Sequence, residues 1–183
     1  VRVIKEHMGG GFGAKQISWK PDVMAALLSK KSGRPVQLML DREAENLASG
    51  NRNPTRQSVT IGAKRDGTLT VIIGKLEKAA GAYRTGGEPA DVAAMYQTFY
   101  VCPNVRTEQT PVYINAGPAV AFRAPGHAEA AFAFEQAIDE VARAIDMDPV
   151  ELRRRNYAEV DQVTGKPITL SQGLRLCYDR ATE

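Results

Sequence analysis

Apolar residues recur at helical spacing in several parts of the chain and predict its helices. In residues 21–32, four apolar side chains repeat every three or four positions, between a proline suited to a first turn and a glycine suited to a C-terminal cap. This pattern predicts an amphipathic helix. Residues 128–145 have the same periodicity and give the strongest helix prediction in the chain. An Asp-Pro pair begins a further helix over residues 149–156, and a last helix is expected over residues 171–181.

Shorter apolar or alternating runs predict the strands. Residues 1–8 alternate between apolar and polar side chains, residues 34–40 form a compact apolar run expected to be a buried strand, and residues 104–114 are expected to be extended. Residues 81–89 contain three glycines and a proline, which disfavour both helix and strand. We therefore expect a loop there.

One pair of strands is predicted to form an antiparallel hairpin. Residues 57–63 and 68–78 flank an Asp-Gly pair at 66–67, and the glycine supplies the positive φ that a tight turn needs. Strands and helices then mix without a strict βαβ alternation. The expected fold is α+β, with a mixed, largely antiparallel sheet packed with helices. A length of 183 residues fits a single domain over residues 1–183.

Composition narrows the function classes. Hydrophobic residues make up 43% and charged residues 25%, which is typical of a folded globular protein, and the net charge of +3 is too small to favour nucleic acid binding. No apolar stretch approaches the roughly 20 residues that span a membrane. Cys102 and Cys177 stand in neither a CxxC nor a Cys/His spacing, so we expect no zinc site or disulfide framework. Such cysteine use suits the cytoplasm.

The glycine loop at residues 9–15 (GGGFGAK) is the most informative stretch. Four glycines in five positions expose main-chain N–H groups to a close, anionic ligand. The loop matches a dinucleotide fingerprint through Gly9, Gly11 and Ala14, but the next strand ends too far on for the ribose-binding acid. A phosphate-binding P-loop fails because Gln16 stands where Ser or Thr would hold magnesium. A strand-to-helix turn without a ligand is the simpler alternative.

A second segment, residues 121–126 (AFRAPG), brings Arg123 to the start of the long helix. A guanidinium there can bind a phosphate or carboxylate together with the free N–H groups of the helix N-terminus. The alternative is a surface arginine beside a Pro-Gly helix start.

The chain resembles the molybdopterin-binding subunit of the xanthine dehydrogenase and aldehyde oxidase family. The resemblance covers nearly the whole chain and lies in four segments that occur in the family's order and at similar spacing: GGGFGAK at 9–15, LDREAE at 40–45, AFRAPG at 121–126, and FEQAIDEVA with DPVELRRRN between 134 and 156. It implies a partial molybdenum-cofactor-binding domain of the aldehyde oxidase type. Members of the family hydroxylate an aldehyde or an electron-poor heteroaromatic carbon with oxygen from water.

The resemblance also implies roles for individual residues. Arg42 matches an arginine that faces the substrate in purine-oxidising members, and the alternative is a surface arginine paired with Glu43 or Glu45. Gln16 stands where those members have a glutamate, so an aldehyde or another heterocycle is expected rather than a purine. Glu135 falls where the family has an acid beside the cofactor, although an arginine-paired acid is equally open. The implied cofactor-binding residues are Gly11, Phe12, Gly13, Ala121, Phe122 and Arg123, with no protein ligand to the metal.

Cofactors and partners follow from the resemblance as well. The expected cofactor is molybdopterin in its cytosine dinucleotide form. Since no cysteine set in this chain can hold a cluster, the 2Fe-2S centres and the FAD are expected on partner subunits that accept the electrons from a small-molecule substrate. The family's catalytic glutamate lies late in the subunit, and this chain stops before it. We therefore expect a fragment that is inactive by itself.

Two other functional interpretations are alternatives to a molybdenum enzyme. One is a non-redox anion- or nucleotide-binding α+β module that uses the glycine loop. The other is a structural fragment whose helices, above all the one over residues 128–145, pack against partner chains.

Overall fold

The structure is a computed structural model that describes residues 6–13, 15–83, 91–168 and 171–183, without the side chains of residues 171 and 172. The chain forms its elements in the following order: helices α1 (Lys20–Ser32) and α2 (Arg42–Ala48), strands β1 (Thr55–Ala63) and β2 (Leu69–Gly81), helix α3 (Val92–Met95), strand β3 (Val105–Tyr113), and helices α4 (His127–Ala144), α5 (Pro149–Arg155) and α6 (Ser171–Ala181). The strands form one sheet in the order β1-β2-β3. The predicted α+β class is confirmed.

The chain divides into two compact units. Unit 1 comprises residues 1–54, 79–90 and 111–125, and unit 2 comprises residues 55–78, 91–110 and 126–183. That residues 1–183 form a single domain stays a prediction.

The predicted hairpin is the centre of unit 2. Strands β1 and β2 pair antiparallel, from Thr55 opposite Lys78 to Ile61 opposite Ile72. The turn is closed by a hydrogen bond from the Gly67 N–H to the Lys64 carbonyl at 2.9 Å, and Gly67 has the positive φ of 87° that the sequence predicted. The Asp-Gly pair therefore sets this turn, as expected.

Helix α4 covers one face of β1 and supplies much of the buried core of unit 2. Its buried residues recur at three- and four-residue spacing, and the ring of Phe134 meets that of Tyr96 edge-on at a centroid distance of 4.8 Å. Helix α5 begins at Pro149 after Asp148, whose carboxylate accepts from the N–H groups of Val150 and Glu151. Both helices confirm the periodicity and capping predictions.

The structure of unit 1 agrees less well with the elements predicted from the sequence pattern. Helix α1 forms as predicted and ends at Gly33 with a φ of 64°, but none of its residues is buried, and Leu27 is 61% exposed. The predicted buried strand at residues 34–40 is wrong: these residues are not in a strand, and Met39 is 87% exposed. A strand needs a ladder of main-chain hydrogen bonds, which an apolar run by itself does not supply.

Further differences are local. The predicted strand at residues 1–8 falls partly outside the described residues, and residues 6–8 are not in a strand. Most of the predicted loop at residues 81–89 also lies outside the described part. Helices α2 and α3 were not predicted, although each begins with a side-chain cap, from Asp41 and Asp91 respectively. Across the described ranges, no helix has the length and apolar character needed to cross a membrane.

Candidate functional site

The glycine loop and the Arg123 segment, far apart in the sequence, are joined in unit 1. The main-chain N–H of Arg123 donates a hydrogen bond to the carbonyl of Phe12 at 2.7 Å. Beside it, a Cβ added at Gly13 would come within 3.1 Å of the Ala121 carbonyl oxygen. The loop therefore packs main chain against main chain on residues 121–123, which only glycine at position 13 permits.

Both halves of this contact hold a non-glycine residue in the left-handed region. Phe12 has a φ of 48° and Ala124 a φ of 54°. Such conformations cost about 1–3 kcal/mol each and persist where the surroundings over-determine them. Within the loop, a side chain at Gly10 would collide with the Phe12 ring, so the glycine also makes room for that ring.

A half-open cavity of about 310 Å³ lies against this loop. Its wall carries main chain from Gly10 and Gly11 and the rings of Phe12 and Phe122. The polar part of the lining includes the cationic side chains Lys15, Arg42 and Arg52 and the carboxylate of Glu45. Positive charge, glycine main chain and aromatic rings in one cavity suit an anionic ligand with a flat apolar part.

Arg42 lies at the cavity and also makes the ion pair of the alternative interpretation, so its substrate-facing role stays a prediction. It lines the cavity, and its Nη1 also lies 2.8 Å from Oε2 of Glu45, one helical turn away on α2. The two side chains are 83% and 39% exposed, so this ion pair contributes at most about 1 kcal/mol to folding. The arginine is therefore held loosely enough for its guanidinium to serve a ligand.

The other predicted residues take different places. Gly11, Phe12 and Phe122 line the cavity, whereas Gly13 and Ala121 contact each other behind its wall. Arg123 is hydrogen-bonded through its main chain to Phe12, which lines the cavity, and Arg123 itself is exposed. Gln16 is exposed and is not among the described residues that line this cavity.

Sequence reasoning missed Arg52. Its Nη2 donates to the carbonyl of Arg123 at 2.7 Å, and its guanidinium lies over the ring of Phe122, 4.8 Å from the ring centroid. No motif or periodicity marks this position, which stands in an ordinary SGNRNP segment. Its importance depends on a contact with residues distant in the sequence.

Glu135 belongs to a separate network in unit 2. Its carboxylate accepts from the Tyr100 hydroxyl at 2.9 Å and from Nε of Arg153 at 2.8 Å, and Arg153 also binds Asp139 at 2.7 Å. Burial raises the pKa of Tyr100 well above its usual range, and the charge of Glu135 raises it further. The arginine-paired alternative is thus present, and the network braces α5 against α4.

Comparison with known proteins decides the family. Residues 1–157 match the molybdopterin cofactor-binding domain. This chain belongs to that family. The match includes the glycine loop, Arg42, Arg52 and the segment 121–123, so every element of the cavity wall lies within the family's domain. The resemblance inferred from the four motifs is confirmed.

Named relatives agree with the assignment. The chain is 35% identical to the xanthine dehydrogenase molybdenum-binding subunit of Escherichia coli over 98% of its own length and 24% of the relative's. It is 32% identical to the nicotinate dehydrogenase large molybdopterin subunit of Eubacterium barkeri, covering 100% of this chain and 44% of that protein. The chain therefore spans from a quarter to under half of the length of these molybdopterin-family proteins.

Solved structures of the family carry the same fold. The aldehyde oxidoreductase of Desulfovibrio gigas superimposes with a TM-score of 0.75 at 30% identity, over 95% of this chain and 20% of that one. The quinoline 2-oxidoreductase of Pseudomonas putida gives a TM-score of 0.81 at 26% identity, over 95% of this chain and 24% of that one. This molybdopterin-binding chain is thus a partial α+β domain of the aldehyde oxidoreductase type.

The described residues fit the family's cofactor. A molybdopterin is anionic and flat, and the cavity offers three cationic side chains with glycine main chain at its wall. A Cβ at Gly9 would meet nothing within 4 Å, so this end of the loop is open to an approaching group. In the part of the chain that the structure covers, no three His, Cys, Asp or Glu side chains cluster as a metal site.

Proposed function

We propose that the chain forms part of the catalytic subunit of a molybdenum hydroxylase. The overall reaction converts a C–H bond of an aldehyde or an electron-poor aromatic heterocycle to C–OH with oxygen from water, and it releases two electrons and two protons. The observation that carries this proposal is the hydrogen bond from the Arg123 N–H to the Phe12 carbonyl at 2.7 Å. It unites two family motifs into one wall of a cationic cavity.

The cofactor would be held by the loop and the segment that packs on it. Exposed N–H groups near Gly11, Phe12 and Gly13 offer fixed dipoles to an anionic group, and residues 121–123 support the loop from behind. The positive charge of Lys15 and Arg52 adds to this attraction. When bound, molybdopterin supplies the metal that takes up two electrons. We assign it the cytosine dinucleotide form by resemblance to bacterial members.

Arg42 and Gln16 are proposed to shape substrate choice. The guanidinium of Arg42 faces the cavity and stabilises negative charge that develops on a bound ring. Gln16 cannot relay a proton as a glutamate does, which disfavours purines. The names of the relatives refer to aldehydes, quinoline, nicotinate and xanthine, so they support the broader class and do not separate purines from other heterocycles.

We propose that electrons pass to 2Fe-2S and FAD partner subunits, that the assembly is cytoplasmic, and that the base for the reaction is a glutamate beyond this chain. The 183-residue chain alone would then show no turnover.

The test uses the protein expressed from its complete gene together with its neighbouring subunit genes. Molybdenum and molybdopterin are quantified, and oxidation of benzaldehyde, quinoline and hypoxanthine is compared in ¹⁸O-labelled water. We expect bound molybdenum, label in the product, and little activity on hypoxanthine. A pure complex without molybdenum would refute the proposal, and a dominant activity on hypoxanthine would refute the role of Gln16.

The competing function is a non-redox anion- or nucleotide-binding module, which the three cationic side chains of the cavity also suit. Calorimetry of the purified chain with ATP and with inorganic phosphate tests it. Micromolar nucleotide binding, combined with no molybdenum in the protein from the complete gene, would favour this function.

A further inference from the structure

We propose that Arg52 is a positioning residue that clamps the segment 121–124 against the glycine loop. It makes two contacts with that segment: Nη2 donates to the Arg123 carbonyl at 2.7 Å, and the guanidinium carbon Cζ lies over the Phe122 ring, 4.8 Å from its centroid. The inference rests on the proposed function only for its consequence, the retention of the cofactor. The clamp itself is a property of the chain.

First, two consecutive hydrogen bonds connect Arg52 to the glycine loop through Arg123. Arg52 binds the carbonyl of Arg123, and the N–H of the same residue binds the carbonyl of Phe12. One guanidinium therefore holds, through a single residue, the glycine loop that lines the cavity. A hydrogen bond from a charged donor is stronger than one from a neutral donor, which suits it to this task.

The second step is the strain that the clamp opposes. The carbonyl that Arg52 binds belongs to the peptide that leads into Ala124, which has a φ of 54° and precedes Pro125. A left-handed alanine before a proline is disfavoured, because the proline ring restricts the residue before it to extended conformations. Without the hydrogen bond from Arg52, rotation of this peptide would relieve the backbone strain at Ala124. Rotation would release the Arg123 carbonyl from Arg52 and would loosen the segment that holds the Phe12 carbonyl.

The third step is the need for arginine. The guanidinium is planar, so one face can stack on Phe122 while an edge donates to the carbonyl. A lysine ammonium is a compact charge that can replace the hydrogen bond or the contact with the ring, but not both in the same geometry. Arg52 is only partly exposed, in contrast to Arg42 at 83% side-chain exposure, which is consistent with a fixed side chain.

The test compares Arg52→Met, which keeps an unbranched stem, and Arg52→Lys, which keeps the charge. Arg56→Met is the matched control, because Arg56 lies on β1 in unit 2 with 89% side-chain exposure. Amide hydrogen exchange of peptides that cover residues 121–124 and 9–13 is followed by mass spectrometry. We expect exchange at residues 121–124 to be about fivefold faster in Arg52→Met, as the loss of one hydrogen bond implies, and faster to a smaller extent in Arg52→Lys, with β1 and β2 unchanged.

A second readout uses the protein from the complete gene. We expect both Arg52 variants to retain less molybdopterin. Because Arg52→Lys keeps the positive charge that attracts the cofactor, a loss in this variant as well separates the clamp from direct attraction. Unchanged exchange at residues 121–124 in both variants would overturn the clamp, and so would equal acceleration in Arg56→Met. If Arg52→Met does not fold, amide exchange at residues 121–124 in Arg52→Lys tests the clamp instead. If the wild-type protein holds no molybdenum, the proposed function fails, whereas the exchange result still decides the clamp.

Discussion

Arg123 donates its main-chain N–H to the carbonyl of Phe12 at 2.7 Å, in a loop where Phe12 has a φ of 48°. This bond places the two most informative motifs of the chain side by side. It also explains why the loop needs glycine at position 13, since the two main chains approach closely. The predictions below concern this contact, the cavity beside it, and the core of unit 2.

Replacing Gly13 with alanine should separate the loop from residues 121–123. Gly13 has a φ of 89°, and its new Cβ would lie 3.1 Å from the Ala121 carbonyl oxygen. We expect a loss of about 1–3 kcal/mol of unfolding free energy, measured by urea denaturation, together with a lower molybdenum content. Gly9→Ala is the control, because a Cβ there meets nothing within 4 Å. Equal effects of the two changes would contradict the close packing.

Replacing Arg42 with methionine should change substrate preference more than stability. Its ion pair with Glu45 is exposed, so the unfolding free energy should change by less than about 1 kcal/mol. We expect kcat/KM to fall for heteroaromatic substrates and to change little for aldehydes. Glu45→Gln is the control, since it removes the ion pair and leaves the guanidinium in place. A uniform loss on all substrates would argue against a substrate-facing Arg42.

Replacing Asn156 with alanine should destabilise unit 2. The buried side chain accepts from the Leu69 N–H at 3.0 Å and donates to the carbonyl of Gly67 at 2.8 Å. Its removal leaves buried main-chain groups without partners, which costs about 1–3 kcal/mol. Urea denaturation measures the loss, with the exposed Asn115→Ala as the control. A change as small as that of the control would mean that the hairpin turn does not depend on this amide.

Stability should fall in alkaline solution through buried tyrosines. Burial raises the pKa of Tyr96 above the ordinary value of a tyrosine, to about 12. Below pH 10 the hydroxyl is protonated in both states, so this contribution is fully present. Between pH 10 and 12 only the unfolded state loses its proton, so the unfolding free energy falls by up to about 1.4 kcal/mol per pH unit.

The check is the slope of unfolding free energy against pH for Tyr96→Phe. This variant should lose stability less steeply over the same interval, although it also loses the hydrogen bond to Gln57 at 2.7 Å at every pH. Tyr113, which is 65% exposed, serves as the control position. An unchanged slope in Tyr96→Phe would show that its hydroxyl titrates alike in the folded and unfolded states.

Local patterns predicted the elements whose causes are local. The Asp-Gly turn at residues 66–67, the periodicity of α4 and the Asp148 cap of α5 each lie within a few residues of the structure they specify. The strand predicted for residues 34–40 was wrong because strand pairing depends on residues that are distant in the sequence. The apolar run itself carries no information about whether another strand is present to pair with it.

The candidate site was predictable to the extent that motifs mark it. The glycine loop, Arg42 and residues 121–123 were all singled out, and the cavity places Gly11, Phe12, Arg42 and Phe122 on one surface. Arg52 was not, because an arginine in a loop has no local signature. The structure shows that Glu135 pairs with Arg153, and whether this acid lies beside the cofactor stays a prediction.

The amino-acid sequence by itself determined the family, the hairpin and the main helices, because turn chemistry, capping and apolar spacing act over a few neighbouring residues. The tertiary structure decided which side chains face one cavity and which guanidinium holds the Arg123 carbonyl. Those relationships join residues that are distant along the chain. They depend on main-chain hydrogen bonds and close contacts that exist only after the segments have packed together.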